Sequence, residues 1–176
     1  MNNRGYFLIE VVLSISIIPI ICLILYNTLF QTINTKEYIE NKNELKQQAL
    51  EVIDSIEYII QNSKSIINDY DCGENLELKP IKSIKCEYKD EDYEQNKEII
   101  YKSQYDKIFI NDLNKYNQTQ SGGYEIGNYI TNMYIGISDI KNIVKVKITL
   151  QKENTDYEIE KIIKIHNFKE NRLWKL

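Results

Sequence analysis

The first thirty residues constrain this chain most strongly, because a nearly continuous apolar run begins directly after a short polar leader. The run extends to Phe30, and its only charged side chain is Glu10. As a helix that rises about 1.5 Å per residue, the part from Val11 to Phe30 would cross roughly the 30 Å hydrocarbon core of a bilayer. The run therefore predicts a membrane-spanning helix with one unexplained carboxylate.

A cleavable secretory signal and a plain signal anchor are also hydrophobic, but neither explains the whole pattern of this segment. A cleavable secretory signal has a shorter apolar region followed by small residues of the A-x-A type, whereas Phe30 is followed here by the polar segment QTIN. A plain signal anchor would explain the basic flank at Arg4. It would not explain Glu10, because a carboxylate within a span is costly and usually marks a function.

The order Arg4-Gly5, one aromatic residue, three apolar residues, Glu10 and a long apolar helix resembles the class III signal of type IV pilins and pseudopilins. The resemblance implies that prepilin peptidase cuts after Gly5 and that the new N-terminal residue, Tyr6, is N-methylated. It also implies that Glu10 sets the assembly register between subunits. The proline of this chain, Pro19, lies earlier than the one that many major pilins carry, which weakens the case for a main shaft subunit.

A second helical pattern follows from Asn34 to about Asn68 without a Gly or Pro. Apolar residues recur every three or four positions with charged residues between them, which predicts an amphipathic continuation of the same helix to the mid-sixties. The apolar stripe consists of Leu45, Ala49, Val52, Ile53, Ile56, Ile59, Ile60, Ser63, Ile66 and Ile67.

The remainder of the chain predicts strands. Residues Val144 to Leu150 alternate with period two, a polar turn follows, and Tyr157 to Asn167 returns, which indicates an antiparallel hairpin. Shorter strands are predicted at 76–79, 81–88, 99–101, 107–110, 124–130 and 133–137, and a flexible loop at 113–123. The predicted class is α+β, with a long N-terminal helix packed on a C-terminal antiparallel β-sheet. The pilin resemblance implies the same fold.

The sequence therefore predicts four parts. They are a prepilin leader peptide at 1–5, a transmembrane and filament-core helix at 6–30, the amphipathic outer half of the helix at 31–68 and an exported β-rich globular domain at 69–176. A net charge of −4 argues against a general nucleic-acid-binding surface, which should be basic.

Cysteine and histidine offer little chemistry. Cys22 lies in the apolar run and is expected to pack as a small hydrophobe. Cys72 and Cys86 fall in the exported part, where a disulfide between them and two unpaired thiols both stay open, because spacing alone does not fix their geometry. The single histidine, His166, ends a predicted strand without a nucleophile motif nearby. No enzyme activity, catalytic residue, metal or cofactor is expected.

The expected function is that of a minor pilin or pseudopilin in a type IV pilus or a type II secretion-like filament. The end of the last strand, 163–167, is similar to PilW-like and J-type minor pseudopilins. The resemblance implies a single-pass precursor with its C-terminal domain outside, which later enters a surface filament. The implied partners are other pilin subunits, prepilin peptidase and the assembly machinery of the inner or cytoplasmic membrane. Two alternatives stay open: a membrane-anchored binding or adhesion domain, and a competence pseudopilin for DNA uptake.

Overall fold

A computed structural model provides the structure, and it describes residues 4–67, 76–88, 95–114, 116–120, 122–138, 142–166 and 168. These residues form one helix, α1 (Arg4–Asn62), and nine strands. The strands are β1 (Ser65–Ile66), β2 (Lys79–Pro80), β3 (Ser83–Glu87), β4 (Asn96–Lys102), β5 (Lys107–Leu113), β6 (Tyr124–Gly127), β7 (Ile130–Ile137), β8 (Ile143–Lys152) and β9 (Thr155–Lys164).

The chain divides into two compact units, Met1–Asn41 and Lys42–Leu176. The first unit contains only α1 among the described residues. The second contains the end of α1 and all nine strands. A helix packed on antiparallel sheets is an α+β architecture, so the predicted fold class is confirmed.

Two antiparallel sheets, rather than one, cover the helix in the second unit. One has five strands in the order β1-β3-β4-β5-β6, and the other has four strands in the order β2-β7-β8-β9. The predicted hairpin is present in the second sheet. Its register is unbroken from the pair Ile143–Lys164 to the pair Lys152–Thr155.

The core joins both sheets to one face of α1. Its helical members are seven residues of the predicted stripe: Leu45, Ala49, Val52, Ile53, Ile56, Ile59 and Ile60. Each sheet contributes the residues on its inner face, which alternate along the strands. Examples are Ile84 and Ile99 in the five-stranded sheet and Ile148 and Ile163 in the four-stranded sheet. The 3.6-residue and two-residue periods of the sequence therefore identify the buried faces correctly.

The helix ends earlier than its apolar pattern predicts. The last helical residue is Asn62, and the buried Ser63 donates from its hydroxyl to the Ile60 carbonyl at 2.7 Å. Ile66 is still buried, but it belongs to β1, where it pairs with Cys86. The apolar stripe thus continues across a change of secondary structure, because β3 offers residues 65 and 66 a strand partner.

The segment between β5 and β6 is more organised than its polar composition predicts. The Asn114 side chain accepts hydrogen bonds from the backbone N–H groups of Tyr116 and Gln118 at 2.9 Å, which is a local turn that asparagine favours. Thr119 then donates its hydroxyl to the buried carboxylate of Glu98 on β4 at 2.9 Å. The described part of this predicted loop is thus hydrogen-bonded to the five-stranded sheet.

Candidate membrane and assembly helix

The first unit exposes an apolar surface on every side of α1. Each described side chain from Phe7 to Glu40 is exposed, including the aliphatic residues between Ile9 and Ile33. Within the described residues, α1 is the one helix that is long and apolar enough to cross a membrane. A helix that is apolar all round needs an apolar environment, which a bilayer or neighbouring helices can provide.

Hydroxyl groups in this segment already have acceptors within the helix. Ser14, Ser16, Thr28 and Thr32 each donate to the carbonyl four residues earlier, at 2.7–2.8 Å. Such bonds satisfy the hydroxyl proton without water. The segment is therefore more compatible with lipid than its polar residues suggest.

Glu10 is the exception to this rule. It is the only charged side chain between Arg4 and Lys36, and it is exposed on α1. Its backbone carbonyl accepts the Ser14 hydroxyl, but that bond does nothing for the carboxylate. A carboxylate on an otherwise apolar helix is costly in lipid unless a cation or a donor pairs with it, and after cleavage the Tyr6 amine of the same chain or of a neighbouring subunit could do so.

The predicted cleavage position lies at the beginning of α1. The described part of the helix begins at Arg4, so the residues on both sides of the bond between Gly5 and Tyr6 are helical. Cleavage after Gly5 and methylation of Tyr6 stay predictions.

In the second unit, ion pairs attach α1 to the β8–β9 hairpin. Lys152 Nζ lies 2.6 Å from Glu44 Oε2 and 5.4 Å from the centre of the Tyr129 ring. The hydrogen bond from Lys152 holds the pKa of Glu44 below its ordinary value, and the same bond raises the pKa of Lys152. These shifts indicate that both groups are charged in this contact at neutral pH.

A second lysine of the hairpin contacts the next turns of the helix. Lys161 Nζ lies 2.5 Å from Glu57 Oε2 and 3.0 Å from Asp54 Oδ1. The hydrogen bonds to Glu57 and then Asp54 raise the pKa of Lys161. Lys152 and Lys161 thus fix the hairpin at two points along α1.

Close packing fixes the β6–β7 turn against the same helix. A Cβ atom at Gly127 would lie 2.1 Å from Val52 Cγ2, so only glycine fits this approach without a shift. The next residue, Asn128, donates its backbone N–H to Gln48 Oε1 at 3.4 Å. The outer half of the helix is therefore an integral part of the folded second unit.

The cysteines occupy different environments. Cys22 is exposed on α1, whereas Cys86 is buried, and burial raises the pKa of its thiol to about 12. Cys72 lies outside the described residues. A bridge between Cys72 and Cys86 therefore stays a prediction.

His166 is exposed, and its backbone N–H donates to the Gln61 carbonyl at 3.0 Å. Among the residues that the structure describes, no three or more His, Cys, Asp or Glu side chains come close enough together to hold a metal ion.

No family model, curated protein or solved structure matches this chain. The candidate assignment therefore depends on the residues themselves, above all on Gly5, Tyr6 and Glu10.

Sequence reasoning missed the contacts that hold α1 to the strands. Lys152 and Lys161 are two of many lysines, and their acidic partners lie more than a hundred residues away in the sequence. Gly127 carried a weak signal, because a glycine inside a predicted strand often marks a close approach of another segment.

Proposed function

We propose that this chain is a minor pilin or pseudopilin, a structural subunit of a type IV pilus or type II secretion-like filament. In this proposal, prepilin peptidase removes residues 1–5 and the amine of Tyr6 is methylated. Residues 6–30 then pack against the same segment of other subunits. The exported unit stays outside the membrane at each stage.

The observation that carries the proposal is the apolar segment of α1 up to Phe30, whose only charged side chain is the exposed carboxylate of Glu10. An ordinary anchor has no use for Glu10, whose burial in lipid costs free energy. In a filament, the neighbouring subunit's Tyr6 amine would supply the missing positive charge. Such a buried pair can specify register between subunits more than it adds stability.

A second observation supports a filament subunit. Helix α1 supplies both the exposed apolar segment and the stripe buried under the two sheets. In this proposal, the subunit uses one helix both for assembly and for its own core. A separate adhesion domain on a flexible tether would not require this continuity.

The deciding experiment is intact mass spectrometry of the chain recovered from cells that carry an active prepilin peptidase. We expect the wild-type chain to begin at Tyr6 and to carry one additional methyl group. The variant Gly5→Leu should retain its leader, and Ser14→Ala, a matched change downstream of the bond, should be trimmed normally. An untrimmed wild-type chain would favour the alternative, a single-pass anchored binding or adhesion domain.

A further inference from the structure

Strand β9 forms a long free edge of the four-stranded sheet. It runs for ten residues, and β8 is its only partner among the described strands. The other sheet edges are much shorter: β1 and β2 have two residues each, and β6 has four. Long exposed edges are templates for pairing with another chain, and proteins usually block them.

The register identifies which backbone groups of β9 face outward. The hairpin closes with the pair Lys152–Thr155, and the Ile165 N–H donates to the Asn142 carbonyl at 2.9 Å. Odd-numbered residues therefore bond to β8, and even-numbered residues direct their N–H and C=O groups away from it. No backbone hydrogen bond joins those groups to another described segment. The outward row is Asp156, Glu158, Glu160, Ile162 and Lys164.

Two of the four charged side chains in this row pair with lysines of the same sheet but stay exposed to a partner. Glu158 pairs with Lys147 at 2.7 Å, and Glu160 pairs with Lys145 at 2.8 Å, both on β8. The strand contains no proline, glycine or bulge to interrupt pairing. Ile162 is 61% exposed and is the one exposed aliphatic side chain in the described strands. The edge therefore combines one apolar contact point with an acidic row, which would repel an acidic strand and attract a basic one.

We propose that β9 accepts an extended strand from another protein by antiparallel strand addition. In the added strand, the side chains opposite Asp156, Glu158 and Glu160 are basic, and the side chain opposite Ile162 is apolar. Strand β8 demonstrates this complementarity, because its lysines already contact Glu158 and Glu160 from the other side. This interaction surface does not involve the N-terminal helix and is independent of the filament assignment.

The probe is a fluorescent peptide with the β8 sequence, residues 143–152, added to the full chain in detergent micelles. Its matched control carries Lys145→Glu and Lys147→Glu. We expect fluorescence anisotropy to show binding of the lysine peptide and at least tenfold weaker binding of the glutamate peptide. Equal binding of both peptides, or no binding of either, would overturn the proposal.

Two protein variants locate the site. Ile162→Pro removes one outward N–H and leaves the ladder to β8 intact, so it should abolish peptide binding with an unchanged unfolding midpoint. Ile162→Thr keeps that N–H and should bind. Asp156→Lys should weaken binding of the lysine peptide and strengthen binding of the glutamate peptide. This variant tests the site even where the proline variant is less stable.

Hydrogen exchange supplies an independent readout. The amide protons of residues 156, 158, 160, 162 and 164 should exchange rapidly in the free chain and slow at least tenfold when the peptide is bound. Protection of these amides in the concentrated chain without peptide would identify a second copy as the occupant and overturn the proposed partner. Undiminished binding of the peptide to the Ile162→Pro variant would overturn the proposed binding site on β9.

Discussion

At the scale of single residues, Glu10 is the most informative side chain of the candidate site. Leucine at this position removes the one charge from an apolar segment, so Glu10→Leu should insert into the membrane and lose its leader normally. If the carboxylate pairs with the Tyr6 amine of a neighbouring subunit, the variant should enter filaments at least tenfold less than wild type. Shearing and immunoblotting of cells that express the partner pilins would measure this.

The conservative variant Glu10→Asp controls for the loss of charge. It keeps the carboxylate but withdraws it by one methylene, so partial incorporation is expected. Wild-type levels of Glu10→Leu in sheared filaments would remove Glu10 as a register contact. The filament proposal would then lose its main mechanistic support.

Gly127 illustrates a residue whose importance comes from packing. An alanine Cβ would lie 2.1 Å from Val52 Cγ2, so Gly127→Ala should destabilise the fold by about 1–3 kcal/mol through overpacking. Val52→Ala should cost roughly 2 kcal/mol because it leaves a cavity. The double variant should lose less free energy of unfolding than the two single variants lose together, because the small residue at 52 makes room for the new methyl group. Additive costs in urea unfolding would refute the steric explanation.

The sequence indicates the importance of Glu10 but not that of Gly127. Glu10 stands out because a charge within an apolar run is visible without any knowledge of the fold. Gly127 does not, because its closeness to Val52 depends on how distant segments pack. The same reason explains Lys161, whose contacts with Asp54 and Glu57 join segments far apart in the sequence.

At the scale of elements, the contact between α1 and the hairpin should depend on pH. The pKa of Glu44 is lowered by the hydrogen bond from Lys152, so the pair stabilises the fold above the ordinary carboxyl value of 4.5. This stabilisation is lost as the pH falls through the lower pKa of the folded state. It is also lost in alkali, as the pH rises above 10.5 through the raised pKa of Lys152.

The variant Glu44→Gln tests this dependence. Its urea midpoint should lie slightly below that of wild type at pH 7, and the two midpoints should converge as the pH falls below about 4.5. The difference should be small, because exposed ion pairs contribute little. Lys152→Gln should reproduce the effect, and the double variant should add nothing to it. A difference that persists unchanged at low pH would contradict the ion-pair explanation.

Local periodicity predicts the elements well where they are long. The 3.6-residue period identifies the buried face of α1, and the two-residue period identifies the β8–β9 hairpin. The end of the helix at Asn62 and the division into two sheets were not predicted. Both follow from pairings between distant segments, such as Ile66 with Cys86, that no local pattern encodes.

At the scale of the whole molecule, the second unit, Lys42–Leu176, contains the buried stripe of α1 together with both sheets. The fold class was predictable because a helix with one apolar stripe and strands with one apolar face have few ways to bury both. The compact unit begins at Lys42 and includes the outer part of the helix, and the predicted division into an amphipathic helix at 31–68 and an exported domain at 69–176 stays a prediction.

Truncation tests whether the outer helix is needed for the second unit to fold. A chain that begins at Thr35 loses the apolar segment but keeps every buried helical residue, so it should be soluble and unfold cooperatively. A chain that begins at Ser63 keeps all nine strands but loses the stripe from Leu45 to Ile60. Each large buried side chain contributes about 1.5–3 kcal/mol, and six of them together match the entire stability of a typical domain. The shorter chain should therefore aggregate or bind a hydrophobic dye, whereas the longer one should elute as a compact species in size-exclusion chromatography. Equal cooperativity and equal urea midpoints for the two chains would mean that the sheets fold without α1, and that the helix serves only as an anchor.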